Sequence, residues 1–299
     1  MKRGFKGILI AGAIALLVGL GMIVAGIAAG ASWSDVGNVI FSGKYSIGPG
    51  NGWGISYNKD VAGSKLDGES NILDEIDASS IKQLTISMAA GDLDIKEGSS
   101  QYFQVVNNES RGECYIEHDG DELEITIKGR HGNSVGAKAT VWIPKGLEID
   151  DLEIRTGAGK VETENLSADK LKLSVGAGQI VTGDINANDL DIEVDAGEFK
   201  GNGKIVADVA DLKVAAGSLK VSLLESKSAD VKVDIGHINV KFIGGEKDYN
   251  IDADCDIGEI RIGGKRYHMG ENYQILHSDS DKTIEVECNI GQATIDFEN

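Results

Sequence analysis

Apolar and polar residues alternate along most of the chain beyond residue 80, and the alternation breaks at a recurring glycine: Gly91, Gly159, Gly178, Gly197, Gly217, Gly236, Gly258 and Gly291. The intervals are 68, 19, 19, 20, 19, 22 and 33 residues. Five positions before each glycine stand Ile86, Ile154, Leu173, Ile192, Leu212, Val231, Ala253 and Val286, and three before it Met88, Thr156, Val175, Val194, Val214, Val233, Cys255 and Cys288. Ala or Ile comes immediately before it, and an apolar residue recurs two positions after it, from Leu93 to Ala293. Apolar residues at −5, −3 and −1 with polar residues between them mark a strand with one buried face. The inward set then jumps from −1 to +2 and resumes at +4, so one residue is added at the glycine. This predicts a bulge or sharp corner whose backbone angles glycine tolerates. A further apolar position at +7 (Leu166, Ile185, Leu224, Ile243) lies near turn-like sequence, giving two strands and two corners in each unit.

One such unit cannot bury its own apolar face, whereas units stacked at the strand spacing of ~4.8 Å form columns of like side chains and pair each backbone with the next. The pattern therefore predicts an all-β fold, a parallel β-solenoid (β-helix-like) with coils of about 20 residues. A Greek-key sandwich also alternates, but it does not require the same residue class at the same offset in eight units. The 68-residue interval contains alternating segments at 101–145 around Asp119-Gly120 and His131-Gly132-Asn133. It reads as an antiparallel meander that caps the N-terminal end of the stack. The 33-residue interval reads as a surface insertion before the final coil.

Ahead of the repeats, residues 7–31 carry no charge, and 25 residues at 1.5 Å each suffice to cross a hydrocarbon layer of ~30 Å. Lys2, Arg3 and Lys6 precede this stretch and Asp35 is the first charge after it, an arrangement that places the N-terminus in the cytoplasm. The expected organisation is a cytoplasmic tail (1–6), a single transmembrane helix (7–31), a linker or stalk (32–72) and an extracytoplasmic β-repeat domain (73–299). A cleaved signal peptide is the alternative for 7–31, but its apolar stretch exceeds the usual ~7–15 residues. Both readings export the domain.

Composition narrows the picture. Gly is 40 of 299 residues and Phe, Trp and Tyr together are 16, so the core is aliphatic and narrow. A formal net charge of −19 argues against nucleic acid, whose phosphates are met by Lys and Arg. Cys255 and Cys288 share the −3 offset and are expected as neighbours facing the core. They read as small hydrophobes, with a bridge between adjacent coils as the alternative; Cys114 lies outside the repeats. No Cys or His spacing suits zinc. Asp195, Asp234 and Asp256 share the −2 offset with Asn289 and are weak Ca²⁺ candidates, although a solvated corner is the simpler reading. No cofactor and no catalytic constellation is expected.

The repeated [GAD]-[AI]-G ahead of an alternating strand, the Val141-Trp142-Ile143-Pro144-Lys145-Gly146 segment and the opening Ile86–Ile95 unit resemble a bacterial family of putative adhesins with β-strand repeats, a domain of unknown function. The resemblance spans about residues 73–299. It implies a solenoid-like fold, a cell-surface location and often one N-terminal membrane helix, and it supplies no catalytic residues. Three functions follow as expectations: a membrane-anchored, non-catalytic scaffold that meets an envelope or surface partner; an accessory of cell-envelope stress signalling; and, by fold analogy with β-helical lyases alone, a glycan-active enzyme.

Overall fold

In a computed structural model of the chain, the described residues are 45–49, 53–57, 64–66, 70–108, 112–129, 137–268, 273–277 and 280–298. The expected helix at 7–31 lies outside them. Among the described residues no helix is long and apolar enough to cross a membrane, and apart from short 3-10 turns the elements are strands. Tyr45–Pro49 and Trp53–Tyr57 pair as an antiparallel hairpin of their own.

The repeats wind into coils, each with one strand before its glycine and one after it, and each strand pairs in parallel with its counterpart in the next coil. Ile86, Ile154, Leu173, Ile192, Leu212 and Val231 are successive partners in one ladder. Leu93, Val161, Ile180, Phe199, Leu219 and Ile238 are successive partners in the other. Because the offsets repeat, these columns face one continuous aliphatic core, and all twelve residues are at most 2% exposed. Each fully buried Val, Leu or Ile contributes about 1.5–3 kcal/mol of transfer free energy. Phe199 is the bulky exception in its column, and a Cβ on Gly201 two residues on would crowd Ile205 at 2.9 Å and the Phe199 ring at 3.4 Å.

The inward set differs from the expectation at one row. Apart from buried Ala90, the −1 residues sit half-buried or exposed on the corner, and Ile257 there is 51% exposed. The inward row belongs instead at −7, where Leu84, Leu152, Leu171, Leu190, Ala210, Ala229, Ile251 and Ile284 are all buried. The strand before the glycine ends at −3, and the corner occupies −2 to 0. Its N–H groups keep pairing along the stack: Gly176 donates to the Thr156 carbonyl at 2.9 Å, Ala177 to Gly157 at 2.8 Å and Gln179 to Gly159 at 2.8 Å. Corner glycine therefore serves close approach. A Cβ on Gly178 would run into the carbonyl oxygen of Gly159, and the same clash with the neighbouring corner recurs from Gly91 to Gly291. Of the eight, Gly91 alone has a positive φ.

The order of coils along the stack also differs from the order in sequence. At the N-terminal end, Glu122–Gly129 and Ala137–Pro144 pair in parallel with the two strands of the Gly91 coil. They form an additional outermost coil, and the expected antiparallel pairing lies on its outer side, where Glu122–Gly129 meets Gly112–Asp119 and Ala137–Pro144 meets Gln104–Asn107. At the other end, Thr283–Cys288 and Gln292–Glu298 lie between the Gly236 coil and the Gly258 coil, pairing with both. The final coil of the chain is thus enclosed, and the Gly258 coil, which the sequence places before it, is outermost.

Antiparallel strands close both ends. Gln104–Asn107 and Gly112–Asp119 cover the first coil, with Ser70–Ile72 and Ser64–Lys65 added beside them. Lys265–His268 and Tyr273–Ile275 cover the last coil. Such covers remove the long open edges that invite pairing with other chains. Phe242, Tyr249 and Phe297 pack together near the C-terminal end with ring centroids 5.4–6.3 Å apart.

Candidate functional site

After its second strand each coil bends onto a short third side before the next coil begins. Leu166, Ile185, Ile205 and Leu224 are successive partners there, as are Ala168, Ala187, Ala207 and Ser226. These two rows turn inward, while Ser167, Asn186, Val206 and Glu225 between them turn outward. Ahead of the Gly159 coil the same layout begins in Leu147-Glu148-Ile149 but departs from register. Pro144 and Gly146, whose φ is +71°, bring the chain in from another direction. Pairing with the next coil resumes only at Asp169, whose N–H donates to the Ile149 carbonyl at 3.0 Å. In front of that point the two segments separate and a groove of about 620 Å³ opens.

Ile95, Ile149, Leu166 and Ile185, all buried, form its floor, with half-buried Ile143 and Leu147 beside them. Its rim holds charges that are mostly engaged with their neighbours. Lys204 pairs with Glu225 at 2.6 Å, and the Asp184 carboxylate accepts the Lys204 backbone N–H at 2.8 Å. Glu97 meets Lys145 at 3.5 Å, and Lys96 lies over the Trp142 ring. The hydrogen bond from Lys204, then its charge, hold the Glu225 carboxyl below the usual range. The lining contains no His, Cys or Tyr. The floor is apolar and gains by losing water, and Lys96, Glu97, Glu148, Asp184 and Lys204 make the surrounding rim polar.

The structure separates the candidate calcium ligands. Asp195 and Asp234 are two coils apart, with Ala215 between them, and Asn289 stands between Asp234 and Asp256, donating from Nδ2 to the Asp234 carboxylate at 2.8 Å. Among the described residues no group of three or more His, Cys, Asp or Glu side chains is placed to hold a metal ion. Burial, and then the neighbouring Glu193, push the Asp195 carboxyl above its ordinary range. Cys255 and Cys288 are direct partners in the parallel ladder, each buried as a free thiol. Cys114 is buried separately beside Ile127. Sequence reasoning missed the groove; its signal was the Pro144-Lys145-Gly146 interruption just ahead of an otherwise regular Leu147-Glu148-Ile149.

Among solved structures the chain is similar to a putative adhesin from Parabacteroides merdae, at 13% identity over 79% of this chain and 96% of that one with a TM-score of 0.41. It is similar to a putative adhesin from Bacteroides fragilis at 12% identity over 78% and 97%, with a TM-score of 0.39. A putative lipid binding protein from Parabacteroides distasonis is similar at 15% identity over 76% and 96%, with a TM-score of 0.39. No curated protein matches. One family profile, Toastrack DUF4097, matches residues 81–289, a span that covers the coils up to the first strand of the enclosed final one, and the chain belongs to that family.

Proposed function

We propose that this Toastrack protein is a membrane-anchored, non-catalytic scaffold that presents its β-repeat domain outside the cytoplasmic membrane as a surface-interaction module. The observation that carries this reading is the groove on the third side. Its floor is apolar and its rim charges are mostly engaged, so it offers desolvation and shape to a partner. A reaction centre instead needs a nucleophile or a proton donor and acceptor held ready for substrate. The uncharged stretch at 7–31 supports the anchor, and a stack of rigid coils holds the groove in fixed geometry.

Two measurements test the reading. On intact cells making the full chain, external protease removes the repeat domain while a tag before residue 1 stays protected. Substituting Asn186→Arg together with Val206→Arg on the groove wall lowers binding of the labelled protein to the cell envelope at least about 10-fold, equivalent to ~1.4 kcal/mol, with the unfolding midpoint unchanged. A domain that external protease cannot reach, or full binding by the folded variant, overturns the proposal.

A further inference from the structure

The two cysteines at the C-terminal end have a geometry that the interaction role does not use. We infer that Cys255 and Cys288 are a disulfide site, and that oxidation of the pair ties the enclosed final coil to the outermost coil. They are Cα partners in adjacent parallel strands, where the spacing of ~4.8 Å falls within the ~4.4–6.8 Å that disulfides span between Cα atoms. Both side chains turn into the core, each 1% exposed. Bridging requires the Cβ atoms to draw together to about 3.8 Å. Each cysteine is the last residue of its strand, beside the corner, where the ladder restrains it least. Gly258 leaves the space: a Cβ there would lie 2.7 Å from Cys288 Sγ.

The chemistry is two-electron thiol–disulfide exchange. One thiolate attacks an oxidant of the disulfide class, forming a mixed disulfide and releasing the first oxidant thiolate; the second cysteine thiolate attacks the protein sulfur of that mixed disulfide and expels the other, so the oxidant leaves as two thiols carrying the two electrons and two protons. In the closed stack both thiols are sealed, and burial pushes Cys288 up to about 11, so the native coil keeps its thiols protonated and out of reach. The bond is therefore made while the final coil is open, before it slides between its neighbours, and the closed stack preserves the redox state it had on closing.

Full-length protein in mild detergent is unfolded, then refolded either with a reduced and oxidised glutathione mixture or with dithiothreitol. Thiols are counted after denaturation and alkylation. Under oxidising refolding the count falls from three to one per chain, a peptide map joins Cys255 to Cys288, and the urea midpoint rises; the rise persists in Cys114→Ala and is absent in Cys255→Ala. Native reduced protein given the same mixture keeps three thiols over the same period. Three free thiols after oxidising refolding, or a bridge that includes Cys114, overturns the site. Equally fast oxidation of the native protein overturns the gating by coil closure.

Discussion

Gly178 and Gly264 do different work, and the same substitution separates them. At Gly178 the φ is ordinary, but a Cβ would collide with the backbone of Gly159. Gly178→Ala must push two coils apart and strain the Gln179 N–H bond to the Gly159 carbonyl, which is expected to cost about 2–4 kcal/mol. Gly264 has φ +81°, and a methyl group there would meet nothing within 4 Å, so Gly264→Ala carries only the left-handed penalty of about 1 kcal/mol. Urea unfolding of both variants checks the difference; equal costs would show that corner glycines serve backbone angle instead. The column itself is legible in the sequence, because one residue type recurs at one offset. Its cause is not, since a single chain does not display which backbone lies against which. The −1 alanines mimic an inward row for the same reason: small and apolar, they suit a tight corner as well as a core.

Charge at the residue scale gives a signed test. Burial and Glu193 raise Asp195, so this carboxyl binds its proton more tightly in the folded state. Its favourable contribution is present below the unfolded pKa and is lost as pH rises through the folded one. Asp195→Asn is therefore expected to stabilise the protein at neutral pH, with the gain shrinking as pH falls through the folded pKa and vanishing below the unfolded Asp value of about 3.9. Glu225 runs the other way: Lys204 lowers it, its contribution is present above the unfolded pKa, and it fades as pH falls. Glu225→Gln thus weakens the protein at neutral pH and is silent in acid. Urea midpoints across pH for both variants decide the matter, and parallel profiles would refute the assignment.

At the scale of elements, chain order and spatial order part company at both ends of the stack. Residues 283–298 pair on both sides in parallel, whereas the Gly258 coil has a parallel neighbour on one side and short antiparallel strands on the other. Opening free energy follows enclosure rather than distance from the terminus. Amide hydrogen exchange is accordingly expected to be slower in 284–288 and 292–297 than in 251–255 and 259–262, although the former lie at the end of the chain. Faster exchange in the final coil would mean that it frays and is not enclosed. Neither inversion is legible in the sequence, because the Gly258 and Gly291 units carry the same offsets and satisfy the repeat in either order. The groove escapes for a related reason. Leu147-Glu148-Ile149 matches Leu166-Ser167-Ala168 position by position, and only Pro144 and Gly146 signal that the first of them arrives out of register.

For the whole molecule, nearest-neighbour pairing implies that length is adjustable in steps of one coil. Leu166 partners Ile185 and Val175 partners Val194, a strict spacing of 19 residues, and stability in such stacks is close to a sum over units and their interfaces. Inserting a second copy of residues 166–184 after Asp184 extends every column by one layer and leaves all other interfaces intact. The new layer stacks Leu171 on Leu171 and Leu173 on Leu173, and sets Lys170 and Lys172 above their own copies; stacked like charges cost only a fraction of 1 kcal/mol each at the surface. The duplicated protein is expected to fold, with a urea m-value raised by about a tenth in step with its added buried surface. A copy of Leu166–Val175 alone ends on the wrong side of the coil. It cannot join the stack without displacing the strands that follow, so it must loop out, leaving the m-value unchanged and lowering the midpoint. Circular dichroism with urea titration of the parent and both insertions measures this, and failure of the whole-coil insertion to fold would show that the stack is bound to its length by interactions beyond adjacent coils.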